Sequence, residues 1–228
     1  MSRTVIVGDI HGCYDELVAL LELISLQADD QVIAVGDLIV KGNNNKEVLD
    51  LFRTDSRFTS VLGNHDLALL RYWRGETSSL KNSQAKAAAE LKSKATVYCE
   101  YLESLPLLIE LDDHVIVHAG LRPGIPLEKQ SIDDLTELRT LGDDRTSRKG
   151  VPWYELYDSR KVVLFGHWPA AEPTRASRAI GLDTGCVYGN RLSAYLTDTK
   201  QIVSVPALRA YDDPKEKLAV AGSNSTAG

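Results

Sequence analysis

Thr4-Val5-Ile6-Val7 runs directly into Gly8-Asp9-Ile10-His11-Gly12, an apolar stretch that stops at a carboxylate and an imidazole held between two glycines. The four residues before Gly8 read as a buried strand and an amphipathic segment follows, so Asp9 and His11 fall at the carboxyl end of a strand, where open α/β sheets place their sites. Two residues apart, they can face one centre, and together they suit a divalent metal of intermediate hardness. The glycines let the backbone approach closely. Alone, such a pair is more often a hydrogen-bonded turn than a metal site. The same arrangement returns twice: Val32-Ile33-Ala34-Val35 leads into Gly36-Asp37, and Phe58-Thr59-Ser60-Val61-Leu62 leads into Gly63-Asn64-His65-Asp66. Turns alone do not explain three such junctions in order.

Between these junctions the spacing is helical. Residues 14–26 carry Leu17, Leu20, Leu21 and Ile24, with Asp15 and Glu16 in the first turn at the positive end of the helix dipole. Residues 46–52 resume the spacing through Val48, Leu49, Leu51 and Phe52. Two βαβ units result, with parallel strands and right-handed crossovers. The loop Leu38–Asn45 is rich in residues that tolerate unusual backbone angles. Residues 67–105 read as mostly helical, a surface cap or arm near the site.

After Pro106 come short strands over 107–111 and 115–118, with Asp112-Asp113-His114 as a hairpin turn. A charged, partly helical excursion occupies 128–150, a buried strand 162–165, a further stretch 179–185, and an antiparallel hairpin 191–195 with 201–205. The expected class is α/β, with one domain over 1–210 and a disordered tail over 211–228, where apolar periodicity is lost.

The chain has 228 residues, 43% hydrophobic and 25% charged, ordinary for one sizeable α/β domain. A net charge of −6 argues against a stable nucleic-acid partner, which calls for a basic face. Three scattered cysteines, Cys13, Cys99 and Cys186, read as reduced thiols. No apolar run reaches the roughly 18 residues of a membrane helix, and the amino terminus enters a strand without a leader pattern. The expectation is a cytoplasmic protein with no membrane partner. Gly8 and Gly12 do not complete Gly-x-Gly-x-x-Gly, so the first βαβ unit is not a dinucleotide fingerprint.

Of five histidines, His11, His65, His118 and His167 each follow an apolar strand. Grouping the junctions assigns Asp9, His11 and Asp37 to one ion and Asn64, His118 and His167 to a second, with Asp37 bridging. Oxygen and imidazole donors without thiolate suit manganese, with iron or zinc the other candidates. A bridging carboxylate places two ions about 3.5–4 Å apart, the separation at which a shared water ionises and attacks phosphorus. The reading is two-metal phosphoester hydrolysis.

Gly8-Asp9-Ile10-His11-Gly12, Gly36-Asp37-Leu38-Ile39-Val40-Lys41-Gly42, Gly63-Asn64-His65-Asp66, His118-Ala119-Gly120 and Gly166-His167 together resemble the signature of calcineurin-like metallophosphoesterases, within the phosphoprotein phosphatase superfamily. Phe165-Gly166-His167-Trp168 and Leu182–Gly189 look most like bacterial symmetric diadenosine tetraphosphatases. The resemblance spans residues 4–206. It implies a four-layer αββα sandwich with mixed central sheets and a helical cap. It also implies His65 as proton donor to the leaving oxygen, and phosphate contacts from Lys41, Arg122 and Asn64.

The chain departs from the protein phosphatases of that superfamily, whose second motif has aspartate and arginine where this one has Val40 and Lys41. Valine cannot orient His65, which leaves Asp66 as the candidate for that catalytic role. Lysine supplies a point charge without a bidentate fork. The departure favours a nucleoside polyphosphate substrate over a phosphoprotein, the alternative; a non-catalytic metal-containing interaction module is the third reading.

Overall fold

Side chains alternate along a strand, and here both faces are apolar. Val5 and Val7 face one way with Val32 and Ala34, while Ile6, Ile33 and Val35 face the other. A strand apolar on both sides must be covered on both sides, which dictates the layers. The computed structural model describes residues 3–212. In chain order the elements are β1 (Thr4–Val7), α1 (Tyr14–Leu23), β2 (Gln31–Ala34), α2 (Asn45–Thr54), β3 (Phe58–Ser60), α3 (Asn64–Trp73), α4 (Asn82–Leu91) and α5 (Ala95–Ser104). The second half holds β4 (Leu108–Glu110), β5 (His114–Val117), α6 (Ile132–Glu137), β6 (Thr140–Leu141), β7 (Val151–Pro152), β8 (Val162–Phe165), β9 (Thr174–Arg175), β10 (Ala179–Gly181), β11 (Arg191–Leu196) and β12 (Gln201–Pro206).

One mixed sheet has the order β12-β11-β1-β2-β3 and the other β4-β5-β8-β10-β9. The two expected βαβ units are present: β1 pairs parallel with β2, and β2 with β3. The hairpins β4-β5 and β11-β12 are antiparallel, as their short connections require. The sheets meet face to face through Ile6, Ile33, Val35, Ile116, Leu164 and Tyr195. Outside the first sheet, α1 to α5 contribute Leu17, Leu20, Leu49, Leu69, Leu91 and Leu102 to a second apolar layer. Outside the other sheet, Val115, Val117, Val163 and Phe165 pack against Leu135, Leu138 and fully buried Trp153. Each such side chain contributes roughly 1.5–3 kcal/mol. The order of layers is helix, sheet, sheet, helix-and-loop, as the resemblance implied.

Three local expectations change. His114 is the first residue of β5 rather than part of the turn; it is buried, with Nε2 3.4 Å from the Tyr195 hydroxyl. Its imidazole has a polar partner between the sheets, so it can enter a strand. In the loop over residues 38–45, the left-handed backbone lies at Val40 (φ 78°) and Lys41 (φ 76°), not at the asparagines. Of the tail expected over 211–228, Tyr211 is held to the fold: its amide donates to Val187 O at 2.8 Å and its hydroxyl to Glu16 at 2.8 Å. The remainder of that expectation lies outside the described residues. Among the described residues no helix is long and apolar enough to cross a membrane.

Candidate functional site

Five of the expected ligands stand where a strand gives way to a loop, and Asn64 is the first residue of α3, just beyond β3. Three of them, His11 (φ 50°), Asp37 (φ 51°) and His167 (φ 66°), adopt left-handed backbone. Such angles cost about 1–3 kcal/mol apiece and persist where the surroundings impose them, typically at sites. The neighbouring glycines make room: a Cβ on Gly166 would run into the Asp9 carboxylate, and one on Gly63 into the Asp37 amide.

The six expected metal ligands form one chain of close approaches. Asp37 Oδ2 lies 3.4 Å from His11 Nε2 and 3.5 Å from His118 Nε2, between the two halves of the set. Asn64 Oδ1 is 3.0 Å from His118 Nε2 and 3.1 Å from His167 Nδ1. Asp9 closes the set by accepting from the His167 amide at 3.1 Å and 3.2 Å. The Nδ1 atoms of His11 and His118 face the carbonyls of Ile39 and Val35 at 3.1 Å and 2.9 Å. That hydrogen bond fixes the tautomer and turns the Nε2 lone pair inward.

Electrostatics make this cluster a receptor for cations. Burial, then Asp183 and Asp37, pushes Asp9 well above the usual carboxylate range, and burial pushes Asp37 up to about 6. Burial also lowers His118 to about 4. Acceptor oxygens and neutral imidazole lone pairs therefore converge in a buried space, which is the donor set a divalent ion satisfies. The residues present fit the group.

The other expected residues divide. Lys41 is at the site, its Nζ 2.8 Å from His11 Nε2 and 5.3 Å from the centroid of the Tyr188 ring. Burial works against its charge, but Tyr188 and Asp37 carry its pKa above the ordinary value. His65 is also at the site, with its amide donating to Asp37 Oδ1 at 2.9 Å and its ring 5.1 Å from that of His11. Burial and then the Lys41 charge hold its pKa well below 6.5, and its buried Nδ1 has no hydrogen-bond partner.

Asp66 does not reach that ring. Its carboxylate accepts from the amides of Leu38, Ile39 and Gly63 at 3.2, 3.3 and 3.2 Å, tying the second ligand loop to the start of α3. Asp66→Ala is expected to cost about 2–4 kcal/mol in a urea melt, because three buried amides lose their acceptor together.

Arg122 is not brought to the site either. Its guanidinium grips Asp134 in a fork at 3.0 Å and 2.7 Å, and it does not line the cavity. The cavity, about 410 Å³, is lined instead by Arg139 and Arg148, together with Lys41, Lys81, Asp183 and Tyr188. Arg139 reaches His167 O at 3.3 Å. In the sequence it stands between Leu138 and Thr140 with no motif to mark it.

Ligand loops converging at the strand ends of a two-sheet sandwich, over a buried oxygen and imidazole set, define a metal-dependent phosphoesterase. Residues 2–213 match the calcineurin-like phosphoesterase family, and the chain belongs to it. It is a hydrolase of that family. It is 29% identical to bis(5'-nucleosyl)-tetraphosphatase PrpE [asymmetrical] of Bacillus subtilis (strain 168), covering 92% of this chain and 97% of that one. It is 30% identical to the symmetrical bis(5'-nucleosyl)-tetraphosphatase of Vibrio campbellii (strain ATCC BAA-1116), covering 90% and 99%. A crystal structure provisionally assigned as a diadenosine tetraphosphatase superposes with a TM-score of 0.80 at 34% identity, covering 90% of this chain and 94% of that one.

Proposed function

We propose that this protein hydrolyses dinucleoside polyphosphates, with diadenosine tetraphosphate as the representative substrate, at two manganese ions. Asp9, His11 and Asp37 would hold one, and Asn64, His118 and His167 the other, with Asp37 shared. When bound, the ions supply positive charge at the phosphoryl oxygens and lower the pKa of water. The observation that carries the reading is the cation lining of the cavity: Lys41, Lys81, Arg139 and Arg148 surround the ligand set of an acidic chain. A polyphosphate needs such a lining; a phosphoserine side chain presents one phosphoryl group.

The chain's own residues then have distinct roles. Lys41 and Arg139 pair with phosphoryl oxygens, Lys41 as a point charge and Arg139 through a planar fork. Asn64 adds its amide. His65 gives a proton to the leaving oxygen; the entering phosphate supplies the negative charge that offsets Lys41 and lets the ring hold that proton. Asp66 acts through the loops it ties together. The three cysteines are free thiols, in keeping with a reducing cytoplasm.

The test is initial-rate hydrolysis with manganese of diadenosine tetraphosphate, a phosphothreonine peptide and a phosphotyrosine peptide. The nucleotide is expected to win in kcat/KM by a factor on the order of 10². A peptide preferred over the nucleotide overturns the proposal. Product analysis separates release of two diphosphates from release of a mono- and a triphosphate, the two outcomes represented among the relatives' names.

A further inference from the structure

A groove of about 880 Å³ adjoins the metal cavity, and the two share Lys41, Lys81 and Ser83 in their walls. The groove runs between α4, the loop after Lys41, and the segment Ala210–Asp212. Its volume is that of a site for a nucleotide-sized molecule. None of the six metal ligands lines it.

The lining has a definite chemistry. Lys86 lies on α4 and Lys81 immediately precedes it; both are exposed, and among the described residues neither ammonium has an ion-pair partner. Other lysines on this face are paired, Lys46 and Lys94 with Asp50 at 3.6 Å and 2.9 Å. Glu90 is the groove's acid on α4, and its carboxylate is engaged by Asn45 Nδ2 at 2.6 Å and the Lys46 amide at 3.1 Å. The first turn of α4, where the two cavities meet, adds the positive end of a ten-residue helix. The lining also includes Tyr211, its hydroxyl held by Glu16 at 2.8 Å and its ring under the Arg209 guanidinium at 5.0 Å, with Asp212 beside it and Ala87 and Ala210 as apolar surface. Unpaired cations leading from the reacting centre toward an aromatic ring match a chain of phosphates ending in a base.

We propose that this groove is the nucleotide subsite: the part of the substrate beyond the cleaved phosphate lies along α4, its phosphates against Lys81 and Lys86 and its base against Tyr211. The proposal rests on the dinucleoside polyphosphate reading above. It makes α4 a specificity element rather than a solvated helix. Nothing in the groove favours a phosphopeptide, which would not need free cations beyond its single phosphoryl group.

The test is Lys86→Glu on the full chain loaded with manganese, assayed on diadenosine tetraphosphate and on p-nitrophenyl phosphate, with Lys86→Arg as the conservative control. KM for the dinucleotide is expected to rise about tenfold or more in the glutamate variant, because one charge-assisted contact becomes a repulsion. The arginine variant should stay near wild type, kinetics on p-nitrophenyl phosphate should not change, and thermal melts should superimpose. Equal kinetics of wild type and Lys86→Glu on the dinucleotide overturn the subsite alone. An equal loss on both substrates overturns it as well, since Lys86 then acts on the whole fold. A wild-type enzyme that does not prefer the dinucleotide over p-nitrophenyl phosphate removes the substrate reading and the subsite with it.

Discussion

Asp37→Asn is expected to lower metal-dependent hydrolysis by a factor on the order of 10³, equivalent to several kcal/mol of lost charge stabilisation at the phosphoryl group. Asp37 Oδ2 is within 3.4–3.5 Å of an imidazole nitrogen from each half of the ligand set, so the neutral amide removes the anionic donor common to both. Metal content after dialysis, measured by elemental analysis, should fall below that of wild type. Stability should move the other way. Burial pushes Asp37 up to about 6, against an ordinary 3.8, so ionising it opposes folding when no cation compensates. In the chelated wild-type protein, stability therefore declines as pH rises from about 4 through 6, by on the order of 1–2 kcal/mol from this group. The chelated asparagine variant should lack that part of the decline and melt roughly 2–6 °C higher at pH 7. Unchanged metal content and unchanged rate would remove Asp37 from the centre.

His65→Asn should lower kcat on diadenosine tetraphosphate by about 10²–10⁴, the range for a lost general acid, while metal content stays at the wild-type level. The histidine is anchored through its backbone, the amide donating to Asp37 Oδ1 at 2.9 Å, and its side chain stands free of hydrogen-bonded partners at Nδ1. Asparagine keeps the backbone contact and the polarity but cannot deliver a proton. The loss should shrink markedly on p-nitrophenyl phosphate, whose leaving group departs without a proton. His11, Asp37 and His65 nevertheless present donor atoms within 4.8 Å of one another. If His65→Asn loses metal, or loses activity equally on both substrates, His65 serves as a ligand and the donor role is wrong.

The groups around His65 carry a lesson about local and distant information. Asp66 follows His65 in the chain and is the nearest acid by number, yet a helix turns consecutive residues about 100° apart. Its carboxylate accordingly faces Leu38, Ile39 and Gly63 instead of the imidazole. Arg122 shows the same thing from the other side: a cation near a histidine motif in sequence, it is held by Asp134 twelve residues on. Arg139, which had no motif to mark it, reaches the cavity because the excursion containing α6 folds back over His167.

The amino-acid order alone determined most of the elements and marked the candidate ligand positions. Strand alternation, helical spacing and a polar residue at each strand end are local patterns set by backbone geometry, so Asp9, His11, Asp37, Asn64, His118 and His167 could be picked out one junction at a time. Parallel pairing of β1, β2 and β3 then carries three of those junctions to one end of a sheet. Tertiary structure decided what lies between distant segments: which cations line the cavity, where Asp66 and Arg122 point, and that α4 and Ala210–Asp212 enclose a groove beside the centre. Those facts depend on how two sheets and their covering loops pack, and packing joins residues far apart in sequence that no local period relates.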